Sequence, residues 1–139
     1  MARKPRVHFA GVLYHVMSRG NQGQAIFKDD QDRERYLDFL KESQKRFGYR
    51  LYAYVLMGNH VHHLIEIGQT PLSKVMQNIL FRYTGCWNRR YKKTGHLFQG
   101  RYKAILCDRE SYLLALIRYL HLNPVRSKIV GDPGAYRWS

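Results

Sequence analysis

Along the chain, apolar residues alternate at strand spacing, switch to helical spacing, and switch back, in a regular succession. GVLYHVMSR (11–19) reads as a strand and gives way to SRGNQGQ, where Gly20, Asn21 and Gly23 mark a turn. Asp29 or Asp30 is placed to cap a helix in which Tyr36, Leu37, Leu40 and Phe47 form the apolar stripe, and Gly48 stops it. YRLYAYVLM (49–57) and HVHHLIEI (60–67) read as two strands joined by a tight turn at Gly58 and Asn59. A second helix follows, with Thr70 as N-cap, Pro71 at its first position, and Leu72, Val75, Met76, Ile79, Leu80, Tyr83 and Trp87 on one face. RYKAILC (101–107) predicts a fourth strand. Asp108 then opens a last helix, DRESYLLALIRYLHL, which must end near Asn123 because Pro124 disfavours helical geometry in the residue before it.

The order β-α-β-β-α-β plus a C-terminal helix predicts the α+β class: a ferredoxin-like antiparallel sheet with helices on one face and the other face open to a site or partner. We expect residues 1–139 to be a single domain, with a basic arm over 1–10 and a polar tail over 124–139. The charge adds to this picture. Twenty-four Lys and Arg against ten Asp and Glu leave a net charge of +14, and nucleic-acid phosphate is the commonest partner for such an excess. A membrane surface is disfavoured, since no basic amphipathic helix with an exposed apolar face, lipidation motif or run of transmembrane length is present. Cys86 and Cys107 form no CxxC pair and fit buried thiols in a reducing compartment. The expected location is cytoplasmic.

Three histidines stand in four positions of the third strand. His60 and His62 point to one face and His63 to the other. Two imidazoles one residue apart on one face can ligate one divalent cation, although histidines on a solvated sheet face would need no metal. His63, on the opposite face, is expected to pack against a helix. A histidine-triad nucleotide hydrolase would need a third histidine at position 64, which is Leu, and the paired HxT or HxS motifs of a two-histidine phosphoesterase do not occur. In LIRYLHLNPV, Tyr119 and Asn123 are four apart and share a helical face. The phenol could attack at the metal site while the amide carbonyl serves as third ligand; equally, Tyr119 could flank the core and Asn123 simply end the helix. Tyr112 is the nearest rival nucleophile.

The segments YHVMSRGN (14–21), YVLMGNHVHHLIE (54–66), GHLFQGRYKAIL (95–106) and RYLHLNPVRS (118–127) occur in this order. Together they resemble the REP-associated tyrosine transposases, within the single-tyrosine HUH transposases that act on single-stranded DNA. The resemblance covers almost the whole chain. It implies that His60 and His62 bind the metal, Mg²⁺ or Mn²⁺, that Asn123 is the polar third ligand, and that Tyr119 is the nucleophile. His63 stands where the family often has an aliphatic residue. The implied chemistry is nicking and strand transfer through a covalent 5′-phosphotyrosine, on hairpin-bearing single-stranded DNA. A phenol of pKa about 10 is only about 0.1% ionised at neutral pH, so the nucleophile needs this assistance.

Arg19, Arg82, Arg89, Arg90, Lys92, Lys93, Arg101, Lys103 and Arg118 are the candidate DNA contacts. Tyr83, Tyr91 and Tyr102 are candidates to stack on unpaired bases, and Trp87 reads as core. A homodimer is possible. Two other readings remain open: a noncatalytic nucleic-acid-binding module on the same sheet, and a replication initiator or relaxase. The small size and lack of an attached helicase or primase region weigh against the latter.

Overall fold

The structure, a computed structural model, describes residues 10–107. Its elements follow the expected order: β1 (Leu13–Arg19), a single 3-10 turn (Asn21–Gly23), α1 (Asp30–Phe47), β2 (Arg50–Leu56), β3 (His60–Glu66), α2 (Leu72–Tyr91) and β4 (Lys103–Cys107). The strands form one antiparallel sheet in the order β2-β3-β1-β4. The helix expected beyond Asp108 lies outside the described residues.

Local chemistry sets the helix ends. Asp29 caps α1, its carboxylate accepting from the Asp32 N–H at 3.0 Å, and Gly48 ends the helix in the left-handed conformation at φ 71°. α2 starts one residue later than expected. Pro71 is itself the cap position, with extended ψ of 147° and no side-chain cap bond, so Thr70 does not cap the helix. Having no N–H, Pro71 leaves none to satisfy there.

Alternation along the strands splits the sheet into two faces. Tyr14, Val16, Val61 and Ile65 turn toward the helices and meet Tyr36, Leu40, Val75, Met76, Ile79 and Tyr83 in the main core. Leu13, Ala53, Val55, Met57 and Leu64 form a second buried apolar cluster on the other face. His60 and His62 belong to that second face, as strand parity requires.

The turn between β2 and β3 is clamped by the segment after β1. Gly20 N–H donates to Asn59 O at 2.8 Å, and Ile26 N–H and Phe27 N–H both donate to Gly58 O, at 2.8 and 3.2 Å. The segment before β4 joins the same clamp: Asn21 N–H donates to Leu97 O, and Gln99 N–H to Arg19 O, each at 2.8 Å. Gly20 is required for this close approach, because a Cβ there would lie 2.1 Å from the Gln24 carbonyl oxygen. Gly20→Ala is therefore expected to destabilise the fold by about 1–3 kcal/mol, the usual scale of overpacking; urea melts of the two proteins measure the difference.

Candidate active site

The antiparallel pairing of β1 with β3 builds the site. Arg19 stands opposite His60 and Met17 opposite His62, with His15 the diagonal neighbour of His62 on the same face. The His60 and His62 rings lie 5.0 Å apart, nearly perpendicular. His60 Nδ1–H donates to Asn59 Oδ1 at 2.7 Å, and His62 Nδ1 lies 3.0 Å from His15 Nε2. His62 is 5% exposed, so the alternative of a merely solvated histidine pair does not describe it. Burial lowers its pKa from the ordinary 6.5 to about 3, with nearby His60, His15 and Arg19 adding to the effect. His62 is thus neutral at pH 7, the form in which an imidazole can bind a cation.

His63 points the other way and is fully buried. Its Nε2 meets the Tyr36 hydroxyl at 2.9 Å, and the two rings lie parallel. It is a packing residue, as its parity predicts.

Among the described residues, no group of three or more His, Cys, Asp or Glu side chains is placed to hold a metal ion. The two histidines fit a divalent cation only with a further ligand. The expected one, Asn123, lies outside the described residues, as do Tyr119, Tyr112 and Arg118.

Among the described residues, the candidate DNA contacts separate into three groups. Arg19, Arg101 and Lys103 line a cavity of about 80 Å³ with Met17 and Gln99, beside the histidines. Arg89, Lys92 and Lys93 are exposed at the end of α2. Arg90 is held instead by two carboxylates, 2.5 Å from Asp29 and 2.6 Å from Asp32. Arg82 pairs with Glu42 at 2.7 Å and lies over the Phe39 ring. Both therefore hold α2 to α1.

The aromatics differ from expectation more sharply. Tyr83 and Tyr102 are buried, so neither offers a face to a base, and Trp87 is core as expected. Tyr83 donates its hydroxyl proton to Ile26 O, and Tyr91 donates to Asp32 at 2.6 Å while Lys28 covers its ring. The sequence showed aromatic rings at helical spacing but not the partners that turn them inward. His15 and Gln99 were not anticipated. Parity places His15 on the face of Arg19, but its meeting with His62 depends on the register of strands far apart in sequence.

Against this geometry, the model of the IS200-like transposase family matches residues 8–123. The chain belongs to that family. Its fold is also that of a REP-associated tyrosine transposase solved bound to a REP hairpin, at a TM-score of 0.81 and 13% identity, over 99% of this chain and 81% of that one. A crystal structure described as a putative transposase of Deinococcus radiodurans R1 is similar at a TM-score of 0.58 and 16% identity, over 85% of this chain and 94% of that one. No curated protein matches the chain by sequence. The protein is a transposase, and no helix among its described residues is long and apolar enough to cross a membrane.

The burial of His63 can be tested in two ways. Tyr36→Phe removes the partner of a buried ring nitrogen and is expected to cost about 1–3 kcal/mol of stability, measured by urea denaturation. Burial also lowers the His63 pKa to about 3. Below about pH 6.5 the unfolded chain takes up a proton there that the folded protein excludes, so stability present at neutral pH is lost as pH falls toward 3. The slope should approach about 1.4 kcal/mol per pH unit for this group. Urea melts between pH 7 and 5 should show a shallower slope in His63→Gln.

Proposed function

We propose that the protein nicks and rejoins single-stranded DNA through Tyr119, at a divalent-cation site held by His60 and His62. The observation that carries this reading is the histidine pair: two imidazoles on one sheet face, the inner one kept neutral by burial. Asn123 is the third ligand of the proposal, and the cation is Mg²⁺ or Mn²⁺. Once bound, it would polarise the scissile phosphate and stabilise the charge that develops there.

The chain's own residues supply the rest. Arg19, Arg101 and Lys103 gather around one cavity beside the histidines and are suited to hold the DNA backbone by charge-assisted hydrogen bonds. Arg89, Lys92 and Lys93 extend that attraction at the end of α2, with Arg118 assigned to the phosphate by its position next to Tyr119. Arg82 and Arg90 are left out of the phosphate track because carboxylates already hold them. The Tyr119 oxygen attacks phosphorus, the bond to the 3′ oxygen breaks, and that oxygen leaves with a proton as a free hydroxyl. The 5′-phosphotyrosine retains the phosphodiester energy, so attack by another 3′-hydroxyl rejoins DNA without a nucleotide cofactor. Similarity to a transposase bound to a REP hairpin supports hairpin-bearing DNA as the substrate form.

The test is denaturing-gel electrophoresis of protein incubated with labelled hairpin-bearing single-stranded DNA and Mg²⁺ or Mn²⁺. A covalent protein–DNA band is expected, abolished by EDTA and by Tyr119→Phe. His62→Ala should reduce it by about 100-fold or more, the scale of losing one electrostatic stabiliser of a transition state. Hairpin binding that ignores the chelator, with no covalent band, would favour the noncatalytic module; cleavage surviving Tyr119→Phe would move the nucleophile to Tyr112 or water.

A further inference from the structure

We propose that His15 is a positioning residue: through its Nε2 it fixes His62 in the tautomer that carries the proton on Nδ1 and the lone pair on Nε2. The inference deepens the metal-site reading and rests on it for its consequence, though not for its geometry.

The contact has the form of a directed hydrogen bond. His15 Nε2 and His62 Nδ1 are 3.0 Å apart, and the ring centroids are 5.2 Å apart with planes inclined by only 27°. Two imidazoles lying face to face would bring their centroids closer. Edge-to-edge rings across a 3.0 Å contact give the spacing observed, so the N···N line runs near both ring planes, along the directions of an N–H and a lone pair.

A neutral pair can share one proton in two ways. If His15 donates, His62 carries its own proton on Nε2 and that nitrogen cannot bind a cation. If His62 donates, its Nε2 keeps the lone pair. The neighbouring ligand candidate indicates which arrangement suits the site. His60 Nδ1 faces Asn59 Oδ1 at 2.7 Å, and a carbonyl oxygen can only accept, so His60 has its proton on Nδ1 and its lone pair on Nε2. With His62 donating to His15, both histidines of the HxH pair present the same nitrogen. The second partner of a metal-binding histidine commonly sets its tautomer in this way.

His15 is placed for this role by the fold. It stands opposite Leu64 and diagonal to His62 across the central strand pair, and it is half-buried. Its Nε2 aims at the Nδ1 edge of His62, away from where a cation on Nε2 would sit, so it does not act as a third ligand.

The test combines side-chain ¹⁵N NMR of the metal-free, histidine-labelled protein with Mn²⁺ titration calorimetry. In the wild type, His62 is expected as the Nδ1–H tautomer. His15→Ala should let it redistribute toward Nε2–H and weaken Mn²⁺ binding by about 10–100-fold, as losses of such partners generally do. His15→Gln, whose amide oxygen can accept at a similar reach, should restore the tautomer and most of the affinity. A wild-type His62 protonated on Nε2, or Mn²⁺ affinity and tautomer both unchanged in His15→Ala, would overturn the inference. An Nδ1–H tautomer lost in His15→Ala and recovered in His15→Gln, in a protein that binds no Mn²⁺, would uphold the role of His15 and retire the metal site instead.

Discussion

The pairing of β1 with β3 is the constraint on which the rest depends. With Arg19 opposite His60 and Met17 opposite His62, one face of β3 receives two histidines and the other a single buried one. A slip of one residue would exchange the faces of every side chain on the strand. Such a slip would carry His63 to the face of the histidine pair and turn His60, His62 and Glu66 toward the helix-side core. Tyr36 opposes it as well: it stacks on His63 and bonds its Nε2 inside a cluster of Phe27 and Tyr83 rings. A packing contact on the helix side thereby holds the chemistry on the opposite side in register.

The same economy appears at the end of β1. Residues 18–21, 58–60 and 97–99 come from three separate parts of the sequence, and backbone hydrogen bonds through Gly20, Asn21 and Gln99 bring them together. The clamp carries Asn59, which orients His60, and the start of the loop carrying Arg101. Backbone bonds of this kind are indifferent to side-chain identity except where a Cβ would intrude, and Gly20 is that place.

Much of this was legible in the sequence because it is local. Alternation gave β1 to β4, Asp29 and Gly48 bounded α1, and parity alone placed His60 and His62 on one face and His63 on the other. The start of α2 was misplaced by one residue because Pro71 is compatible with either the cap or the first helical position. What the sequence concealed depends on contacts between distant segments. The approach of His15 to His62 needs the β1–β3 register; the capture of Arg90 by Asp29 and Asp32 needs the ends of two helices to meet; the burial of Tyr83 needs Ile26 to receive its hydroxyl. The helix expected to carry Tyr119 and Asn123 lies outside the described residues, so those two roles rest on the sequence.

The clasp of Arg90 between Asp29 and Asp32, like the pairing of Arg82 with Glu42, bears on how the protein should sense salt. Affinity for a polyanion falls with ionic strength in proportion to the number of phosphates neutralised, each releasing condensed counterions. Cations already matched by carboxylates within the fold release none. On the proposed DNA-binding reading, the ionic-strength dependence of binding would therefore report a smaller, spatially sorted set of charges than the total of 24 Lys and Arg suggests, with those on the sheet face and at the tip of α2 counted ahead of those between the helices.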